Sequence, residues 1–292
     1  MNRPRDFLLL VNERAGAAHG QAAVRRAEGA LAAAGGRARM ARCAALGEAR
    51  EALQGLSPEE IPVAVGGDGT VNLTVRALRS EGLGQRPFGV LPAGTGNAFA
   101  HSLGIRDTAQ ALWTLRNGSA TPLDVLATGH PDAPVALVSL SAGFEARFLR
   151  QLAARRAPWR LWSAGVALAL SAGRRCSGVR MTADGAELLA PGESFYSAGF
   201  YNMPRYAFGR EVVPEADPRD GEAHAVVYEV PGAYWRTLGR GRGEAAAPRV
   251  RRRRFRQARI ESAEPLQVDG ESVCAGNFDV RVEPAAIRVL AP

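Results

Sequence analysis

Three short apolar runs, at residues 7–11, 61–65 and 88–91, punctuate the first third of the chain, and each ends at a polar or glycine-rich bend. Between them, apolar residues recur at helical spacing. Val24, Ala27 and Leu31 do so within 20–34, and Val71, Val75 and Leu78 within 70–79; 46–56 and about 97–103 also read as helix. Strands alternating with helices predict a parallel sheet covered on both faces. After about Thr128 the texture changes. Short strand-like runs at 135–140, 194–201, 223–230 and 259–262 are separated by Gly, Pro and Asp turns, with one helical region at 145–173. This pattern predicts a largely antiparallel second lobe.

Composition narrows the picture. A chain of 292 residues is long for one core, which agrees with two lobes. No apolar run approaches the roughly 20 residues of a membrane span. The opening residues read as a buried strand rather than a signal peptide. Three scattered cysteines, Cys43, Cys176 and Cys274, argue against a disulfide framework or a structural zinc site and fit a reducing cytoplasm. The net charge is +8, and all 37 long-chain cations are arginine. The absence of lysine excludes a P-loop and a protein-kinase site, both of which set a lysine on the phosphates.

The chemistry concentrates in the bends. Gly66-Gly67-Asp68-Gly69-Thr70 follows a buried strand and opens a helix. Glycines there allow positive φ and close approach of an anion to backbone amides. The helix N-terminus adds partial positive charge, and Thr70 is placed to cap it. Asp68 would repel phosphate unless Mg²⁺ or a hydroxyl proton lies between them. A plain tight turn is the competing reading. Leu91-Pro-Ala-Gly-Thr-Gly-Asn97 repeats the design after the next strand, and Asn12 with Gly16 and Gly20 offers a third bend. At the carboxyl edge of a doubly wound sheet such bends lie side by side, where ligands bind.

Gly-Gly-Asp-Gly-Thr followed by Gly-Thr-Gly-Asn resembles the diacylglycerol kinase catalytic-domain family, which includes bacterial lipid kinases and the sphingosine and ceramide kinases. Leu123-Asp124, Ser141-Ala-Gly-Phe-Glu-Ala146, residues 202–209 and 214–221, and Gln267-Val-Asp-Gly-Glu271 extend the likeness along most of the chain. It implies an α/β Rossmann-like N-terminal lobe of the phosphofructokinase and NAD kinase kind, residues 1–128, joined by a C-terminal strand at about 284–292. Residues 129–283 would form a mainly antiparallel, β-sandwich-like lobe that accepts lipid. The resemblance assigns ATP to Gly66, Gly67, Asp68, Gly69, Thr70, Val71, Asn72, Thr95, Gly96 and Asn97, with Asn12 alongside and Cys43 by a looser alignment. Asp68 would help place the catalytic magnesium. Glu271 matches a proposed general base that takes the lipid hydroxyl proton in a cleft between lobes; by its residues alone, Val-Asp-Gly-Glu reads as a hairpin turn. Asp217, Asp220 and the carbonyl of Glu222 match a structural Mg²⁺ site, with a solvated acidic turn as the alternative.

Ala98 stands where many members have an acid, Glu13 and Ala15 replace a proline and a serine, and Glu145 lengthens an aspartate. Residues 158–170 are apolar on nearly every helical face and flanked by Arg155, Arg156, Arg174 and Arg175. They read as a core helix or, through Trp159 and Trp162, as a membrane-interface face. Arg249-Val-Arg-Arg-Arg-Arg-Phe-Arg256 reads as a solvated basic hairpin or a contact for anionic lipid; no nucleic-acid partner is expected. The reading that results is an ATP- and Mg²⁺-dependent lipid kinase, cytoplasmic and transiently peripheral at the membrane, with homodimerisation left open. An NAD kinase and a catalytically silent lipid- or nucleotide-binding regulator are its rivals. The lipid acceptor stays undetermined among diacylglycerol, a sphingoid base, ceramide and phosphatidylglycerol.

Overall fold

A computed structural model describes residues 5–12, 29, 36–154, 160–206, 209–239 and 249–292. The chain divides into two units. The first comprises 1–124, 205–209 and 284–292, and the second 125–204 and 210–283.

In the first unit the order is β1 (Asp6–Val11), β2 (Ala38–Arg42), α1 (Leu46–Gln54), β3 (Glu60–Gly66), α2 (Asp68–Ser80), β4 (Pro87–Pro92), α3 (Ala98–Ser102) and α4 (Thr108–Asn117). Strand β5 (Ser119–Ala127) ends the unit and runs into the next. The parallel strands run β2-β1-β3-β4, and residues 288 and 289 of the final strand add to β4 in the same sense. Strands β1 and β3 are continuous apolar runs because helices cover both sheet faces; Leu8, Leu9, Val63 and Ala64 are fully buried.

The second unit contains β6 (Val135–Ala136), β7 (Ser139–Gly143), α5 (Phe144–Ala154), α6 (Arg160–Ala172), β8 (Val179–Ala183), β9 (Ala186–Leu189) and β10 (Ser197–Tyr201). After β11 (Arg205–Tyr206), which belongs to the first unit, come β12 (Arg210–Glu211), β13 (Ala223–Tyr228), α7 (Pro231–Gly239), β14 (Val250–Phe255), β15 (Gln257–Ser262), β16 (Leu266–Val268), β17 (Glu271–Val273) and β18 (Gly276–Ala291). One antiparallel sheet runs β18-β15-β8-β9, and a second runs β14-β13-β10-β7-β16-β17. Met181, Ile260 and Phe278 from the first share one core with Leu140, Phe200, Val227 and Phe255 from the second. The unit is a sandwich whose inward residues alternate along each strand.

Several expectations need correction. The run 135–140 is not one strand, because the backbone amides of Leu137, Val138 and Ser139 bond to the Asp269 carboxylate at 2.8, 2.8 and 3.1 Å. The helical region expected over 145–173 holds α5 and α6 among the described residues. No helix among the described residues is long and apolar enough to cross a membrane. Strand β14 carries the arginine run at the edge of its sheet, with Arg251 on Glu193, Arg252 on Glu215, and Arg254 on Asp220 and Glu222. A charged edge strand deters pairing with another chain. The helix expected at 20–34, the bend at 13–20, and Arg155, Arg156 and Trp159 lie outside the described residues.

Candidate functional site

Because β1 to β4 are parallel, their carboxyl ends share one edge. Register places Val11 beside Val65 and Arg42, and Gly66 beside Pro92. Asn12, Cys43, Gly67 and Ala93 therefore follow their strands at the same rim. The structure brings together the two glycine bends that follow β3 and β4.

These bends interlock. The Ala93 amide donates to the Gly66 carbonyl at 2.9 Å. A Cβ on Gly94 would lie 2.4 Å from the Gly67 Cα, so the two backbones touch where side chains are absent. None of Gly66, Gly67, Gly69, Gly94 or Gly96 has positive φ. Gly67, Gly94 and Gly96 are required by close approach of one bend to the other, not by a left-handed turn. Asn97 adopts the left-handed conformation instead, at φ 50°. Its side chain clamps Gly94 by accepting from the amide at 3.0 Å and donating to the carbonyl at 2.9 Å. Thr95 is exposed at the tip of this second bend.

Asp68 completes the lock. Its carboxylate oxygens accept the amides of Ala98 and Phe99 at 3.0 and 2.9 Å, which caps α3 from a neighbouring bend. Burial raises the Asp68 pKa against the opposing pull of those amides. A Cβ on Gly96 would sit 3.1 Å from the Asp68 carboxylate. Each Asp68 oxygen thus accepts one backbone amide and retains a further lone pair. Ala98, which lacks the acid common in the family, is buried, and its amide serves this clasp.

Helix α2 begins at Asp68, two residues before the expected start, and its N-cap is Gly67. Thr70 is therefore not the cap; it lies buried in the first turn, where its hydroxyl occupies the space a Gly66 side chain would need. No side chain caps this 13-residue helix; the Thr70 and Val71 amides donate to the Gly67 carbonyl at 2.9 and 3.1 Å, and the amides before them have no intrahelical acceptor. Val71 points into the core, and Asn72 is half-buried. Cys43 is 2% exposed, and burial, reinforced by Glu48, pushes its thiol up to about 11. A neutral buried thiol is a weak ligand group.

In the second unit, Asp269 and Gly270 both take positive φ, at 49° and 89°, and form the tight hairpin between β16 and β17 that the Asp-Gly pair signals. Glu271 is exposed at the start of β17. The hairpin is anchored from within. Gln267 accepts from the Gly270 amide at 2.9 Å and donates to the Ser139 and Ser141 hydroxyls at 3.0 and 2.8 Å. Ser141 donates to Glu145, whose other oxygen accepts from Tyr201 and Tyr234 at 3.0 Å each. Glu145 is 2% exposed, and burial raises its pKa while the three hydroxyls pull it down. The sequence marks Gln267, Asp269 and Glu145 within signature stretches but gives them no role; polar residues inside otherwise apolar runs are the available signal of this network.

Among the described residues no three His, Cys, Asp or Glu side chains are grouped to hold a metal ion; the expected set of Asp217, Asp220 and the Glu222 carbonyl has two acids. Asp217 is held bidentately by Arg219 at 2.7 and 2.9 Å. Asp220 and Glu222 bind Arg254 at 2.5 and 2.7 Å. The Asp217 and Asp220 carboxylates are thus paired with exposed arginines.

The model of the diacylglycerol kinase catalytic domain matches residues 6–128, and that of the YegS C-terminal NAD kinase beta sandwich-like domain matches 138–291. A Pseudomonas aeruginosa protein named "Probable lipid kinase YegS-like" is 30% identical over 79% of this chain and 76% of its own. A Cronobacter sakazakii protein of the same name is 28% identical over 79% and 77%. A Bacillus subtilis diacylglycerol kinase is 45% identical over 69 residues, 23% of this chain and 22% of its own. A Bacillus anthracis crystal structure of a diacylglycerol kinase superposes with a TM-score of 0.69 at 17% identity, covering 100% of this chain and 98% of that one, which speaks to fold. The two matched domains account for the interlocked bends of the first unit and the sandwich of the second, and the chain belongs to the diacylglycerol kinase family in its YegS-like form.

Proposed function

We propose that this protein is an ATP-dependent lipid kinase that transfers a terminal phosphoryl group to a lipid hydroxyl. The observation that carries the reading is the amino end of α2, without a side-chain cap, at the carboxyl edge of the parallel sheet, framed by two bends locked to each other. Such an end attracts phosphate through its amides and the helix dipole. Preorganised bends keep these donors in place without reorganisation during transfer. Asn12, Gly67, Thr95 and Asn97 border the same rim and would contact the nucleotide.

Mg·ATP supplies the transferable phosphoryl group. Glu271 is assigned the proton. Its exposed carboxylate, on a hairpin stiffened by Gln267 and Asp269, would accept the hydroxyl proton while the lipid oxygen bonds to phosphorus and ADP departs. The family relatives named as lipid kinases support a lipid acceptor over NAD.

Incubating purified protein with Mg²⁺, γ-labelled ATP and separately diacylglycerol, sphingosine, ceramide, phosphatidylglycerol or NAD tests this. Label on at least one lipid is expected. Label on NAD alone, or bound ATP with every acceptor unlabelled, would overturn the reading. In the active case Glu271→Gln lowers kcat about 100-fold or more with unchanged nucleotide affinity and unchanged melting temperature; full activity would remove Glu271 from the chemistry.

A further inference from the structure

Helices α5 and α6 and the turn following β15 enclose a cavity of about 270 Å³ in the second unit. It contains neither the glycine bends nor the Glu271 hairpin. Arg147, Arg150, Arg174 and Arg175 line it, against one acid, Glu264. That acid is already engaged: it accepts from the Cys176 thiol at 2.9 Å and lies 3.9 Å from Arg147. Among the described residues, Arg150 and Arg174 have no carboxylate within 4.0 Å.

Two buried polar groups on the wall are unsatisfied. Ser171 is 1% exposed and its hydroxyl has no partner. Arg147 is fixed by Cys176 and the Arg174 carbonyl, yet its Nε is buried without an acceptor. Buried polar atoms in native structures are almost always paired, so each orphan calls for an unseen acceptor. A group with several acceptor oxygens and negative charge among these residues would offer acceptors and relieve repulsion among the arginines. Phosphate has that character, and guanidinium forks match its geometry. The volume suits a headgroup better than a drug-sized ligand, whose pockets begin near ~300 Å³.

We propose that this cavity is a phosphate-binding site, separate from the nucleotide bends, that takes the phosphate of an anionic lipid headgroup or of a small soluble phosphate ester. The site stands whether or not the kinase assignment holds.

The test uses the full chain in two arms. In one, inorganic phosphate is titrated against chloride at matched ionic strength, with melting temperature as the readout. In the other, flotation compares vesicles of phosphatidylglycerol with vesicles of phosphatidylcholine. Arg150→Gln with Arg174→Gln, both exposed residues, is compared with Arg180→Gln plus Arg281→Gln, an equal charge change elsewhere in the same unit. Binding in either arm, weakened at least about tenfold by the first pair and under about twofold by the second, is expected. Ser171→Ala should weaken binding about threefold without lowering the melting temperature in chloride. Binding only to free phosphate identifies a soluble ester, and binding to phosphatidylglycerol vesicles identifies a headgroup. No binding in either arm, or equal losses from both pairs, overturns the proposal. Phosphate held at the nucleotide bends would persist in both variants and so be recognised.

Discussion

Two Asp-Gly signatures, one in each unit, look alike in sequence and behave differently in space. In Gly-Gly-Asp-Gly, Asp68 holds two amides of the neighbouring bend. In Val-Asp-Gly-Glu, Asp269 holds three amides of a distant segment and leaves Glu271 exposed two residues on. Both aspartates are clasps. What separates the signatures is the surroundings: one clasp frames a helix end, and the other stiffens a hairpin that carries a free acid. An acidic residue in a signature is therefore not reliable evidence of chemistry until its lone pairs are accounted for.

The comparison predicts an order of effects. Asp269→Ala, which orphans three buried amides, should cost on the order of 3–5 kcal/mol in denaturant unfolding. Asp68→Ala orphans two and should cost about 2–3 kcal/mol. A variant at Asp68 as stable as the parent but inactive would break the parallel and return Asp68 to the chemistry. Gly94→Ala forces a side chain against the Gly67 backbone and should cost about 2 kcal/mol, with nucleotide affinity falling too. No change in either would show that the bends separate freely. The smallest effect is expected at Glu145. Burial raises its pKa, so the folded chain keeps a proton that the unfolded chain loses above about pH 4. Stability from this group is full below that pH and declines as pH rises through the raised value. Glu145→Gln has no such proton to lose. Its melting temperature should fall less between pH 5 and 8 than that of the parent, and a parallel decline would show that Glu145 does not titrate in this range.

The parallel strands were legible because burial on both faces leaves uninterrupted apolar runs, as at 61–65 and 88–91. Strand β2, Ala-Arg-Met-Ala-Arg, escaped notice because it sits at the sheet edge, mostly exposed, with no such run. Helix α4 carried a readable signal that went unused: Asp107 caps it by accepting the Gln110 amide at 2.8 Å. Helix α7 opens on Pro231, another start signal. The division of 135–140 was not readable locally, since the acceptor that diverts its amides is Asp269. Glycine spacing located the bends correctly, but their reason for being glycine, contact between Gly67 and Gly94, exists only in three dimensions. The arginine partners of Asp217, Asp220 and Glu222 were hidden likewise, because two of those acids answer to a strand more than thirty residues later.

Strand β18 places Arg288 and Val289 beside Pro87 and Phe88. The Ala285 amide is also taken by Asp124, at 2.8 Å. On the ribosome, then, β4 stays an open edge until residues 288 and 289 have emerged. The rim that frames the amino end of α2 would be the last part of the first unit to become secure, and synthesis, rather than local folding speed, would set when it can hold a ligand.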